Sequence, residues 1–76
     1  GKMRGEHLAA LEHKTVHGCE RMTLIYCGVG EVHVIVGDES VELKADEAAR
    51  LDGYAGEIKL CSKTGAKLML AKAKEI

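Results

Sequence analysis

The chain has 76 residues, with 11 Lys and Arg against 12 Asp and Glu, and its only aromatic residues are Tyr26 and Tyr54. That length allows one domain and excludes a large core, so association with a second copy is the expected remedy for a marginal interior. Balanced charge with almost no aromatic side chains argues against a nucleic-acid surface, which interleaves basic and stacking residues, and against an anionic-membrane patch.

No apolar run approaches the ~20 residues of a membrane-spanning helix, and no signal-peptide pattern is visible. Cys19, Cys27 and Cys61 are odd in number and lack a Cys-x-x-Cys spacing. Free thiols in a reducing compartment fit them better than a disulfide framework, so the expected location is the cytoplasm.

In chain order, "EHLAALEHK" (6–14) is the one helical candidate, through Leu8, Leu11 and the helix-forming Ala9 and Ala10. It is expected to be a short helix or an irregular arm, and residues 1–19 are read as that arm. The single domain is expected over residues 20–76. From Arg21 the period is two. "RMTLIYC" (21–27) reads as a buried, mostly apolar strand. "EVHVIV" (31–36) puts Val32, Val34 and Val36 on one face and Glu31, His33 and Ile35 on the other. "GDES" (37–40) is a reversal into "VEL" (41–43). A polar turn and a short extended piece around 49–51 follow, then "EIKLCS" (57–62), the turn "KTG" (63–65) and "AKLMLAKA" (66–73). The closing "KAKEI" (72–76) is expected to fray or to extend the last strand. About six short strands with turns every eight to twelve residues predict an all-β sandwich or barrel.

Gly28-x-Gly30 raises the question of a phosphate loop. A dinucleotide fingerprint needs a third glycine and a following helix. Here the third place is His33 and the following run alternates as a strand. Glycines inside a strand mark a bulge or a barrel corner, and Gly28 and Gly30 are read so.

"LIYCGVGEVHVIVGDESVELKADEAARLDG" resembles the cupin superfamily, whose members are small antiparallel jelly-roll barrels. The pattern is carried by Leu24 to Tyr26, Gly28, Val32, Val34, Leu43, Asp46 and Leu51, and Ala45 stands where the family usually has glycine. Within the superfamily, "ERMTLIYCGVG", "LDGYAGEIKL" and "GAKLML" look most similar to the HutD/Ves family and to the C-terminal halves of pirin-like proteins. The resemblance covers about residues 20–71 and implies a small cupin-like barrel. Relatives of those two kinds are about twice as long, so the chain would be a minimal cupin or a fragment of one.

Many cupins bind a divalent metal through two His, a Glu and a later His. The resemblance therefore directs attention to "HKTVHGCE", where His13, His17, Cys19 and Glu20 offer imidazole, thiolate and carboxylate for Zn, Fe, Ni or Mn. The spacing departs from the family: Thr15 sits where the second His would be, and the strand 57–62 carries no His. His33 would contact a ligand if its face lined the lumen, and would be a surface residue otherwise. His7 has no partner in sequence. Cys19 beside His17 is the one adjacent Cys–His pair, but neighbours on an extended chain point apart and no acid orients the imidazole, so no catalytic residue is assigned. Cys27 and Cys61 read as small apolar strand residues. Glu39, Glu42 and Glu47 read as solvated turn and face residues.

The expectation is therefore a small cupin-like binding or interaction module, non-enzymatic, forming a homodimer and open to a small-molecule ligand, with no cofactor. The alternative is a metal-dependent cupin enzyme of dioxygenase or isomerase type. The resemblance implies at most a regulatory or metabolite-binding role and names no ligand.

Overall fold

The computed structural model describes residues 2–73. Residues 74–76 of the closing segment lie outside the described residues. Seven strands form: β1 (Lys2–Leu8), β2 (His13–His17), β3 (Met22–Val36), β4 (Glu39–Lys44), β5 (Glu47–Asp52), β6 (Glu57–Cys61) and β7 (Ala66–Ala73). All pairings are antiparallel.

β3 is long enough to serve two sheets. Its first half lies between β7 and β5, and β1 pairs with β7, giving sheet A in the order β1-β7-β3-β5. Its second half lies between β6 and β4, and β2 pairs with β6, giving sheet B in the order β2-β6-β3-β4. Each strand of A is thus followed or preceded in the chain by its counterpart in B, and the sheets face each other as a jelly-roll barrel. The two runs 21–27 and 31–36, read separately from sequence, are one strand that bends.

The bend is local to the glycines. The register of β3 against β7 shifts between Cys27 and Val29. Gly30 has φ +85°, and a Cβ there would overlap the carbonyl oxygen of Gly65. Only glycine combines that backbone region with that closeness.

Alternation decides what enters the barrel. Val32 and Val34 from β3, Leu43 from β4, and Ile58 and Leu60 from β6 are buried between the sheets. Ile25 and Cys27 from β3, Leu68 and Leu70 from β7, and Leu8 from β1 meet them from sheet A. Each such side chain gains roughly 1.5–3 kcal/mol by leaving water. The buried polar side chains among the described residues are Thr23 and Ser62. Both are satisfied: Thr23 Oγ1 accepts from the Cys19 amide at 2.8 Å, and Ser62 Oγ donates to Glu31 Oε1 at 3.0 Å.

The helix expected over 6–14 is not formed. This segment is the end of β1, a turn, and the start of β2. Leu11 takes a left-handed φ of +66°, the Glu12 amide donates to the Ala9 carbonyl, and Glu12 Oε1 accepts from the Ala9 amide. Nine residues are too few to hold a helix unaided, since isolated helices shorter than about 12–15 residues are marginal. β7 and β6 would otherwise leave open edges, and β1 and β2 fill them while Leu8 and Val16 enter the core. Across the gap between these two strands, Lys14 Nζ donates to Glu6 Oε2 at 2.8 Å. The bond from Lys14 holds the Glu6 carboxyl below its ordinary range, and the same bond raises Lys14.

Candidate functional site

Three surfaces could carry function: the lumen, the outer face of sheet B and the outer face of sheet A. The lumen is aliphatic. It opens between β4 and β5 into a cleft of about 230 Å³, lined by Val34, Val36, Val41, Ala49 and Leu51 with Arg50 at its rim. That is below the ~300–1,000 Å³ of ordinary small-molecule sites.

On the outer face of sheet B, four strands bring chemistry into one row. His13 pairs with Cys61, Cys61 with His33, and His33 with Glu42. Side chains at such positions stand on the same face, one strand spacing of ~4.8 Å apart. Glu31 lies two residues from His33 on β3 and shares that face. Glu31, His33 and Glu42 each offer one ligand atom, and these atoms lie within 4.8 Å of one another. His33 Nε2 is 3.8 Å from Glu31 Oε2 and 3.7 Å from Glu42 Oε2. Both separations exceed a hydrogen bond. Glu31 Oε2 and His33 Nε2 are buried atoms without a hydrogen-bond partner.

The other oxygen of Glu31 is saturated. Oε1 accepts from Ser62 Oγ at 3.0 Å, the Lys63 amide at 2.8 Å, the Thr64 amide at 3.1 Å and Thr64 Oγ1 at 3.2 Å. The turn between β6 and β7 thus grips one side of the carboxylate and aims the other at His33. Burial opposes ionisation of Glu31, but the bonds from Thr64, Ser62 and Lys63 outweigh it and hold the carboxyl below its ordinary range.

The ligands expected from "HKTVHGCE" are placed apart. His13 and His17 are exposed at opposite ends of β2. Four residues of strand put their Cα atoms ~13 Å apart, and the two imidazoles join no donor group among the described residues. Cys19 Sγ donates to the Ala73 carbonyl at 2.9 Å, at the sheet A side. Glu20 is exposed in the connection before β3. These residues as placed do not fit one metal. Among the described residues, the one group of three or more donors is Glu31, His33 and Glu42. His33, singled out from sequence, thus faces outward. The sequence reads Glu42 as a solvated acid and Cys61 as a small apolar strand residue, and cross-strand register brings both to His33. Cys27 is fully buried, and burial raises its thiol, in keeping with an inert core residue. All three cysteines are free.

The outer face of sheet A carries an apolar row flanked by charged residues, with Arg50 beside Leu24 and Asp52 beside Met22. Met22, Leu24 and Tyr26 of β3 point outward between Met69 and Ala71 of β7 and the outward side of β5. Met3 of β1 lies beside Ala71. Met3 is 69% exposed and Met69 38%. Tyr26 is fixed on this face by a hydrogen bond from its hydroxyl to Asp46 Oδ1.

No sequence family and no curated protein matches the chain. Solved structures do. A cupin superfamily protein from Desulfitobacterium hafniense is similar with a TM-score of 0.82 at 14% identity, over 96% of this chain and 66% of that one. A de novo designed double-stranded β-helix is similar with a TM-score of 0.75 at 14% identity, over 92% of this chain and 96% of that one. The cupin domain of Drosophila melanogaster CENP-C, which has also been solved bound to CAL1, is similar with a TM-score of 0.72 at 12% identity, over 93% of this chain and 59% of that one. The chain spans just under two thirds of these two natural chains or less. Two facing sheets wound around a shared bent strand, and matched over nearly the whole chain by these structures, are the cupin fold.

Proposed function

We propose that this chain is a non-catalytic interaction module that pairs with a second copy of itself through the outer face of sheet A. The observation that carries the reading is the row of outward apolar side chains on that face, Met22, Leu24, Tyr26, Met69 and Ala71, with Met3 at its edge. The surroundings support a second copy as the occupant. Lys67, Arg50 and Asp52 are exposed at the same sheet and carry mixed sign, so the face meets its own copy without a large like-charge field. The lumen gives less support to a ligand or a catalytic centre, because its buried polar side chains are two satisfied hydroxyls. CENP-C, of the same fold, is a protein solved in complex with another protein.

Area sets the class of interface. Four strands at ~4.8 Å and seven residues at ~3.3 Å make a face of about 440 Å² per copy. About 900 Å² in total falls below the ~1,000 Å² of a specific stable interface, so weak, transient association is expected. Sedimentation velocity over a concentration series tests this. The wild type is expected to shift from 8.2 kDa toward twice that mass as concentration rises, and Met69→Lys is expected to stay at 8.2 kDa throughout. A wild type that remains monomeric at millimolar concentration, or a Met69→Lys variant that dimerises equally well, overturns the proposal.

A further inference from the structure

We infer that the outer face of sheet B is a binding site for one divalent transition-metal ion, Zn²⁺ by its donor chemistry, held by Glu31, His33 and Glu42. The site lies on the opposite sheet from the apolar face and outside the barrel, so it does not rest on the self-association reading.

Geometry is the first support. Zinc bonds of ~2.0–2.2 Å at tetrahedral angles place ligand atoms about 3.3–3.6 Å apart. The edges from His33 Nε2 to the two carboxylates are 3.8 and 3.7 Å. The third edge, between the Glu31 and Glu42 carboxylates, lies within 4.8 Å. Closing the set takes side-chain rotation, above all of Glu42, whose side chain is 45% exposed. The same separations are too long for direct hydrogen bonds, so the three groups converge without satisfying one another.

The second support is what those separations leave unsatisfied. Glu31 Oε2 and His33 Nε2 have lost contact with solvent and have no partner. Buried polar atoms are normally paired, and the unpaired ones call for an occupant. The occupant's charge follows from the groups present. Two carboxylates facing one imidazole are net negative whichever state the imidazole takes. No lysine relieves them: among the described residues, neither Lys44, the register partner of Glu31, nor Lys63 forms an ion pair with Glu31. A cation does so, whereas a bridging water satisfies hydrogen bonds and leaves the charge.

The third support is rigidity. Metal-bound carboxylates are usually hydrogen-bonded through their free oxygen, and loss of such an outer partner typically costs 10–100-fold in affinity. Glu31 already has that arrangement, with four donors on Oε1 from the turn at Ser62 to Thr64. The pleat of β3 and its pairing with β4 fix the other two ligands. The choice of Zn²⁺ follows from a mixed imidazole and carboxylate set and from its tolerance of irregular geometry. Cys61 and then His13 continue the row beyond His33, which places a sulfur and a second imidazole next to the site as further donors.

The test is isothermal titration of tag-free protein with ZnCl2, followed by ¹H–¹⁵N correlation of the histidine rings. One Zn²⁺ per chain is expected, with the Nε2 resonance of His33 moving and those of His7 and His17 unmoved. His33→Asn and Glu42→Gln, both partly exposed and outside the core, are expected to weaken binding by more than the ~10–100-fold of an outer-partner loss. His17→Asn and Cys19→Ser are expected to bind as the wild type does. Co²⁺ in place of Zn²⁺ reads the row: a sulfur-to-cobalt charge-transfer band that disappears in Cys61→Ser adds Cys61 to the ligand set, and an oxygen–nitrogen spectrum leaves the three ligands alone. No binding at millimolar Zn²⁺, or binding unchanged in both His33→Asn and Glu42→Gln while their amide spectra remain folded, overturns the inference.

Discussion

Gly28 and Gly30 look equivalent in the sequence, two apart in one run, and both read as a bulge or barrel corner. Their surroundings differ. A Cβ on Gly28 would lie 3.5 Å from the Lys67 carbonyl oxygen and 3.5 Å from a Tyr26 ring carbon, which is ordinary contact. A Cβ on Gly30 would overlap the Gly65 carbonyl, and φ there is +85°. The left-handed region alone costs a side chain roughly 1–2 kcal/mol, and the overlap adds to it. Gly30→Ala is therefore expected to lose at least about 2 kcal/mol of unfolding free energy in urea, while Gly28→Ala stays within about 0.5 kcal/mol. Equal losses would remove the distinction. His33 shows the same limit on reading single residues. Alternation places His33 and Glu31 opposite the valines, as the structure has them, yet Glu42 reads as an ordinary solvated acid. Their importance lies in two lone atoms of Glu31 and His33, which no local pattern reveals.

Pairs of strands carry the next level of information. β3 to β4 was legible because a two-residue turn at Gly37 and Asp38 lies between alternating runs. β1 and β2 were not, because "EHLAALEHK" has helical spacing and its partners lie more than 40 residues away, in β6 and β7. Pairing with those edges outweighs a weak local propensity. The Glu6–Lys14 bond joins the two outer strands across the open side of the barrel, and its pH dependence has a defined sign. Glu6 in the folded chain lies below its free value of 4.5, so its contribution is present above that pH and is lost as pH falls through the folded value. Lys14 lies above its free value of 10.5, so its contribution is present below that pH and is lost as pH rises through the folded value. The stability difference between wild type and Lys14→Gln is expected to be flat between about pH 5 and 10 and to shrink outside that window, as read from urea midpoints. A difference that grows toward acid would contradict the assigned pair.

At the scale of the molecule, the barrel was readable from period-two runs and turn spacing, and its resemblance to cupins from a handful of Gly, Asp and Val positions. A designed double-stranded β-helix of nearly this extent has the same fold, which supports the view that so short a stretch suffices for it. The division of labour between the two outer faces was not readable. "RMTLIYC" reads as buried because both of its alternating sets are mostly apolar. In the structure Thr23, Ile25 and Cys27 fill the core, while Met22, Leu24 and Tyr26 turn outward and are half-covered. Sheet B carries its Glu–His cluster on the corresponding face, so the apolar row and the Glu–His cluster lie on opposite sides of the molecule. The most direct measurement of the central claim is a dilution series of ¹H–¹⁵N amide spectra. Concentration-dependent shifts are expected at Met22, Leu24, Tyr26, Met69 and Ala71, with His33, Glu42 and Cys61 unmoved. Shifts confined to sheet B or to the cleft between β4 and β5, or none at any concentration, would contradict the account.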